Sequence, residues 1–444
     1  MTIVATHPYV AALLAGGGSS PHSSAAWLNR RRAAALESAN ALSVPTTREE
    51  DWRFTDLAPL NKLRFEPLSA AAAAAAAAPV DTAAFLVPEA ALRLVFVDGV
   101  YSAELSSRSM LPAGVTVSTL AEGLKANAAQ LEPHLAVHAG FEKQLFTALN
   151  TAWLRDGALV YVAKNAALAE PLHLLFIATR KDAVVCPRCL IVVETGAECT
   201  VVEDYVSTTA EAYFSNAVTE IAIAPNARVR HVRAQRESLE AIHIASCAVS
   251  LAKDASYVSQ SIAFGARLSR YNLDVVHQGE GAEAVIDGLA LISGRQVADS
   301  HTFMDHAVAN GRCTQSHKTI VGGEAHAVFN GKVLVREGAQ LTRSAQQSRN
   351  LLLSSKARVD TKPQLEIFAD DVKCAHGATV GQLDAEQLFY LKSRGLPDTQ
   401  ARNLLTFAFG AEIVHRIPVK SLVAQFERAV MAQTAHGAQT QAGA

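Results

Sequence analysis

The chain has 444 residues, of which half are hydrophobic and 18% are charged, and its formal net charge is −2. This composition excludes a disordered polypeptide and provides no basic field for nucleic acid, while the length predicts two or three domains with a large core. A membrane-spanning role is not expected, because no run of about 20 strongly apolar residues is present. The first basic residue is Arg30. The charged start of a signal peptide is therefore missing, and we expect a cytoplasmic protein.

The N-terminal third reads as a tail followed by a mixed, mainly helical domain. Residues 1–25 are rich in Gly, Ser and Pro, which predicts a flexible tail. Between residues 26 and 155 apolar residues recur at helical spacing, and one strand is expected at Leu92–Val97. An alanine run covers Ala70 to Ala78. This run has low complexity, and we assign no function to it.

The middle of the chain, residues 156–381, consists of short alternating segments separated by small turns, which predicts an all-β core. Ala197, Ala227, Ala255 and Ala282 each follow Gly, Asn or Asp in a turn, and they are 30, 28 and 27 residues apart. A repeat of about 28 residues predicts coils that stack into parallel sheets, as in a β-helix or β-solenoid. A β-sandwich is the alternative, although turns every 8 to 12 residues or so would then be expected.

Residues 382–444 return to a helical pattern, which predicts a helical C-terminal domain. Asp384 can cap its first helix, and Gly395 can end that helix. The next helix carries a dense apolar group that can pack on its own chain or receive a partner protein. The members of this group are Leu404, Leu405, Phe407 and Phe409.

Six cysteines are spread thinly through the chain, which predicts reduced thiols rather than a disulfide framework. Cys186 and Cys189 form a CxxC motif, which could act as a redox pair or as half of a zinc site. A structural role is favoured, because there is no second CxxC and the motif does not open a helix after a strand.

Cys374 and His376 are the strongest candidate ligands in the sequence. They are two residues apart in a strand-like segment, so a thiolate and an imidazole can project from the same face. Zinc, iron and iron–sulfur centres usually need about three or four ligands. The pair therefore predicts an incomplete, open site that a partner chain could complete, with structural packing of the cysteine as the alternative.

Other chemistry is weakly supported. The motifs of serine hydrolases, zinc proteases, nucleotide-binding folds and phosphate-binding loops are absent from the sequence. His301, His306, His317 and His326 form a loose cluster that could bind a metal or serve structural purposes. A β-helix hydrolase or lyase acting on polysaccharide is a further hypothesis, but it predicts a carboxylate cluster and an export signal, and the sequence shows neither.

Several separated blocks resemble one known family. They are residues 49–55 (EEDWRFT), 94–99 (LVFVDG), 329–332 (FNGK), 347–354, 360–381 (DTKPQLEIFADDVKCAHGATVG) and 401–414. These blocks resemble the SufB/SufD family of iron–sulfur cluster assembly proteins, and the Cys-x-His at 374–376 resembles its SufD branch. Ala375 departs from the family's frequent Ser but leaves the ligand spacing intact.

The resemblance implies a right-handed parallel β-helix core between helical N- and C-terminal domains. It implies a non-enzymatic scaffold in complex with a SufB paralogue and two copies of the SufC ATPase, with SufC bound by the C-terminal domain. Cys374 and His376 would touch a nascent cluster or iron, facing a SufB cysteine across joined sheet edges. A SufB-like role as principal scaffold, a homodimer of the isolated chain, binding of reduced flavin, and iron entry versus sulfur handling stay open.

Overall fold

A computed structural model describes residues 23–61, 66–67, 80–108 and 111–441. These residues form a long parallel β-solenoid of about eight turns with helices at both ends, which confirms the predicted fold class. The alanine run and nearly all of the predicted tail lie outside the described residues. None of the described helices is long and apolar enough to cross a membrane.

The helices are α1 Ala26–Ala41, α2 Ala58–Asn61, α3 Leu120–Leu131, α4 Leu145–Ala152, α5 Ala385–Ser393, α6 Asp398–Val414 and α7 Lys420–Gln441. Short 3₁₀ turns lie at Glu50–Trp52 and Ala83–Phe85. The first strands are β1 Glu66–Pro67, β2 Leu92–Val97, β3 Val100–Tyr101, β4 Val115–Thr119, β5 Ala158–Val162, β6 Leu172–Ala178, β7 Ala183–Val185 and β8 Arg188–Val193. The long solenoid strands are β9 Glu198–Ser207, β10 Phe214–Ile223, β11 Arg228–Arg236, β12 Ile242–Leu251, β13 Ser256–Ala263, β14 Leu268–His277, β15 Glu283–Ile292, β16 Val297–His306, β17 Arg312–Val321, β18 His326–Val335, β19 Arg343–Leu352, β20 Arg358–Ile367 and β21 Lys373–Gly381.

Successive strands alternate between two sheets. Sheet A has the order β20-β18-β16-β14-β12-β10-β8-β5-β4, and sheet B has the order β21-β19-β17-β15-β13-β11-β9-β6-β2-β3. From β8 onward the neighbouring strands are parallel and in register, so side chains at equivalent positions stack in columns. Alternate side chains point into the lumen between the two sheets, where they form one continuous core.

The repeating turns have a common conformation. Gly196, Asn226, Asp254 and Gly281 have φ between +56° and +73°. This left-handed region is open to Gly and is visited more readily by Asn and Asp than by other residues. The alanine that follows each turn is buried in the lumen corner, so the repeat seen in the sequence marks one coil of the solenoid.

The N-terminal helices cover the outer face of sheet A, and buried charges fix them there. Glu220 on β10 accepts hydrogen bonds from the backbone N–H groups of residues 136–139 at 2.7 to 3.1 Å. The same carboxylate pairs with Arg188 of β8, and both side chains are inaccessible to solvent. A buried anion with this many donors is well compensated.

The EEDWRFT block adds a second attachment. Arg270 of β14 lies over the ring of Trp52, 3.8 Å from its centroid, and donates to Asp299 at 2.7 Å. Thr55 donates to the same Asp299 carboxylate. This block of the N-terminal region is therefore held by a buried ion pair of the solenoid.

The C-terminal helices α6 and α7 pack on the outer face of sheet B. Phe426 of α7 meets Phe264 edge-on with ring centroids 5.6 Å apart. Lys318 of β17 donates to the carbonyl of Phe409 at 2.9 Å and pairs with Glu412. By contrast, α5 has no buried residue, so it projects from the body of the protein.

Candidate functional site

The candidate site lies at the open end of the solenoid. Strands β20 and β21 are the last strands of sheets A and B. Strand β21 pairs with β19 along one edge, and its other edge has no partner among the described residues. Backbone N–H and C=O groups of such an edge can pair with another chain.

Cys374 and His376 both project from the lumen face of β21. Their register partners on β19 are Ser344 and Gln346. These partners are 4% and 3% exposed, whereas the intervening Ala345 is exposed. Cys374 is half-buried against the lumen core, and His376 is exposed at the mouth. The structure thus brings the two predicted ligands to one face at the end of the lumen.

The layers beneath the pair are polar. Cys313 and Gln315 of β17 lie in register below Ser344 and Gln346. Gln315 Oε1 accepts from Gln346 Nε2 at 3.3 Å and from Thr302 Oγ1 at 2.8 Å. Within the described residues, Ser344 Oγ, Gln346 Oε1 and Gln315 Nε2 have no hydrogen-bond partner. The mouth of the lumen therefore offers neutral hydrogen-bonding groups that water or a bound species can satisfy.

The FNGK block contacts the polar layer beneath Cys374 and His376. A Cβ added at Gly331 would lie 2.2 Å from Gln346 Nε2, so the side chain of Gln346 occupies space that glycine leaves free. Gly331→Ala is expected to displace Gln346 and to cost about 1–3 kcal/mol of stability, because overpacking forces neighbours to shift. Chemical denaturation can measure this cost. Gly338→Ala, where an added Cβ meets nothing within 4 Å, is the matched control, and an equal loss in both variants would contradict the packing role.

Burial changes the pKa of the Cys374 thiol. Its partly desolvated position raises the pKa of the thiol, and a backbone hydrogen bond from Ser344 only partly offsets this effect. Near neutral pH Cys374 is therefore protonated, and a metal must displace its proton. The pKa of the other half-buried cysteine, Cys186, is raised by burial to about 12.

Thiol labelling tests this description. With iodoacetamide on the native chain, Cys374 is expected to be modified first among the six cysteines, because the others are buried or have a more strongly raised pKa. The rate should rise with pH as the thiolate forms. Peptide mass spectrometry identifies the modified residue. Prior labelling of Cys313 would show that the lumen mouth is more open than described.

The other candidate ligands do not converge. His301 contacts Asp299 at 2.9 Å and His326 contacts Asp360 at 2.7 Å on the outer face of sheet A. His306 and His317 lie inside the lumen. No group of three or more His, Cys, Asp or Glu side chains within the described residues could hold a metal ion.

The CxxC motif is also divided between two environments. Cys189 lies in the lumen core, and Cys186 packs against the cluster beneath the N-terminal helices. Both are free thiols. Their separate surroundings favour the structural interpretation.

The apolar group of α6 is only partly available to a partner. Leu404 is exposed and Leu405 half-buried, whereas Phe407 and Phe409 pack against the cluster between α6 and sheet B. Sequence reasoning missed a larger exposed pair on α5: Phe389 is 74% exposed and Tyr390 57% exposed. The clue in the sequence was the FY dipeptide at 389–390, in the second turn of the helix that Asp384 caps. The Asp384 carboxylate accepts from two backbone N–H groups.

Ion pairs hold the terminal coil on its outer face. Asp360 accepts from His326 and pairs with Arg358 at 2.9 Å. Lys362 pairs with Glu50 of the N-terminal block. The EEDWRFT and DTKPQLEI blocks, far apart in sequence, therefore meet beside the open end.

Comparison with known proteins identifies the family. The SufBD core domain of the SUF iron–sulfur cluster assembly system matches residues 176–409, and the SufBD N-terminal region matches residues 19–174. The chain belongs to the SufBD family. An iron–sulfur cluster assembly SufBD family protein of Synechocystis sp. is 40% identical over 421 residues, which are 92% of this chain and 91% of that protein.

Relatives that carry the name SufD are among the similar proteins. The iron–sulfur cluster assembly protein SufD of Escherichia coli K12 is 32% identical over 386 residues, 86% of this chain and 87% of the relative. The protein of the same name from Bacillus subtilis is 28% identical over 431 residues, 91% and 94% of the two chains. The resemblance seen in the sequence is confirmed. The chain is a SufBD protein of iron–sulfur cluster assembly with SufD-like relatives.

Proposed function

We propose that this SufBD protein is a SufD-type subunit of a SufBCD complex in the cytoplasm and acts as a non-catalytic scaffold. In this role it supports iron acquisition and de novo cluster formation at an interface with a SufB-type paralogue. A SufC-type subunit supplies the ATPase activity. The observation that carries the proposal is the projection of Cys374 and His376 into the lumen mouth, beside the edge of β21 that has no strand partner among the described residues.

The geometry explains why a second chain is needed. Two protein ligands leave an iron or an iron–sulfur cluster with open coordination positions. Strand β21 pairs with β19 along one edge, and a partner's sheet edge would pair along the other. Ligands from that partner would complete the coordination. A cluster shared between chains in this way is cargo, and it can leave when the chains rearrange.

The two ligands suit a transient cargo. A neutral imidazole such as that of His376 holds iron less firmly than a thiolate does. Cys374 must lose a proton to bind, and its raised pKa opposes that loss until iron or a positive partner group is near. Both features keep the site open to loading and release.

The partner surface for SufC is assigned to the C-terminal helices. Phe389 and Tyr390 of α5 and Leu404 of α6 expose apolar surface, and contacts of α5 with α6 join the two helices. Exposed apolar side chains of this size commonly mark protein interaction sites. Leu405, Phe407 and Phe409 support this surface from below.

Reconstitution with one subunit omitted at a time tests the assignment. The chain is co-expressed with candidate SufB and SufC proteins, and the purified complex is analysed for subunits, iron and sulfide. A stable three-component complex is expected, with cluster formation strongly reduced when this chain is left out. Full cluster formation without this chain would contradict the SufD-type role. If the chain forms clusters without the SufB protein, the principal-scaffold role applies instead.

The C-terminal surface has its own test. Phe389→Ser combined with Leu404→Ser should abolish retention of SufC while retention of SufB persists. Met431→Ser, an exposed apolar residue on α7, provides the matched control. Unchanged SufC retention in the double variant would place the ATPase elsewhere.

A further inference from the structure

A small chamber lies inside the solenoid lumen, apart from the Cys374/His376 site. It has a volume of about 40 Å³, which is room for about two or three water molecules. Small side chains leave this space unfilled; among those lining it are Ser261, Ala263, Gly288 and Ala298. The core of the lumen also contains many aliphatic and aromatic side chains. Ser261 and Ala263 are half-buried, so solvent reaches the chamber.

Arg233 forms one end of the chamber. It is 3% exposed, and its guanidinium contacts His243 Nε2, Ser261 Oγ at 3.4 Å and the face of Tyr271, 4.3 Å from the ring centroid. No carboxylate lies within ion-pair distance of Arg233 among the described residues. The carboxylate of Glu237 contacts His243 rather than Arg233, and His243 Nδ1 lies 2.6 Å from it. A buried guanidinium without a direct counter-ion is costly.

His317 forms the other end. Arg233, Ser261, Gly288 and His317 occupy one column of sheet B, so two small residues separate the cation from the imidazole. His317 is 6% exposed, and its ring packs on Phe329. Arg233 Nε and His317 Nε2 both lack a hydrogen-bond partner within the described residues. Both residues line the chamber, and each carries a buried nitrogen that can donate and that has no partner among the described residues.

We propose that this chamber binds one small monovalent anion between Arg233 and His317. The guanidinium supplies the charge and a planar donor, and the imidazole supplies a second N–H. The chamber is small, so the proposed occupant is a compact anion of the size of chloride or hydrosulfide. This inference does not depend on the role proposed for Cys374 and His376.

Thermal denaturation of the full chain tests the site. Sodium chloride, bromide or hydrosulfide is compared with potassium gluconate at equal ionic strength, because gluconate cannot enter. At saturation the small anions are expected to raise the melting temperature by about 1–3 °C. Arg233→Met should abolish the difference. Arg230→Met, at an exposed position on the outer face of the same strand, should retain it.

A second variant keeps the test decisive if Arg233→Met does not fold. Ala263→Leu fills the chamber and leaves the charge in place, so anion stabilisation should again disappear. Wild-type crystals soaked in bromide should show anomalous density between Arg233 and His317. Crystals of Arg233→Met or Ala263→Leu should not show it. Equal stabilisation of wild type and both variants, or no bromide density, would overturn the proposal.

The salt series also distinguishes the source of the anion. Half-maximal stabilisation at a lower concentration of hydrosulfide than of chloride assigns a sulfur species to the chamber. The reverse order assigns a halide. Either order upholds an anion site.

Discussion

Replacing His376 with alanine is expected to lower cluster formation in the reconstituted complex by about tenfold or more, since loss of one ligand from an incomplete site leaves the partner unable to close the coordination. His376 is exposed at the lumen mouth, so the protein should fold and assemble normally. The rate and yield of cluster absorbance, together with bound iron and sulfide, measure the effect.

Matched variants separate a ligand from a surface residue. His415→Ala removes another exposed histidine, one that contacts Glu427 on the C-terminal helices, and should leave cluster formation unchanged. Cys374→Ser should reduce the yield, while Cys189→Ser should matter little. Full cluster formation by the His376→Ala complex would show that the imidazole is not a ligand.

Replacing Glu220 with alanine is expected to reduce the free energy of unfolding by about 3–5 kcal/mol, because it leaves the buried Arg188 without its ion-pair partner. It also removes the acceptor for the backbone N–H groups of residues 136–139. Urea unfolding measures the loss. Glu211→Ala removes an exposed carboxylate on the surface and should change stability by no more than about 0.5 kcal/mol.

The pH dependence of the stability that the Glu220–Arg188 pair provides follows from the pKa of Glu220. Burial alone would raise the pKa of Glu220, but the charge of Arg188 and the backbone donors outweigh it and lower the pKa in the folded protein. The stabilisation by Glu220 is therefore present above the unfolded pKa of about 4.3 and is lost as pH falls through the lower folded value. Glu220→Ala should show a shallower loss of stability in this acid range. If the stability of Glu220→Ala falls with pH as steeply as that of the wild type in this acid range, Glu220 is not ionised in the folded protein.

The sequence was informative about the solenoid because its signals are local. Turn residues that tolerate positive φ, each followed by alanine, recur with the coil, and the period of two within strands assigns side chains to the lumen or the surface. The same period placed Cys374 and His376 on one face. Their location at the lumen mouth follows from their place in the last strand.

Other features depended on packing between distant segments and left no local signal. The bond between Glu220 and residues 136–139, and the stacking of Trp52 on Arg270, join residues far apart in the chain. Helices α5 and α6 both carry apolar residues on several faces. The helical period therefore did not show that Phe407 and Phe409 pack toward sheet B, or that Phe389 and Tyr390 stay exposed. The histidines looked like a cluster only in sequence; alternation in their strands sends His301 and His326 outward and His306 and His317 inward.

The central claim is that His376 is a ligand of a cluster shared with a second chain. It is tested most directly by preparing this chain uniformly labelled with ¹⁵N, reconstituting it with unlabelled partners and recording the nitrogen hyperfine coupling of the reduced cluster by pulsed electron paramagnetic resonance. We predict a coupling that changes from the ¹⁴N to the ¹⁵N pattern on labelling this chain and disappears in His376→Ala. A cluster with no nitrogen coupling, or with a coupling unaffected by the label, would contradict the account.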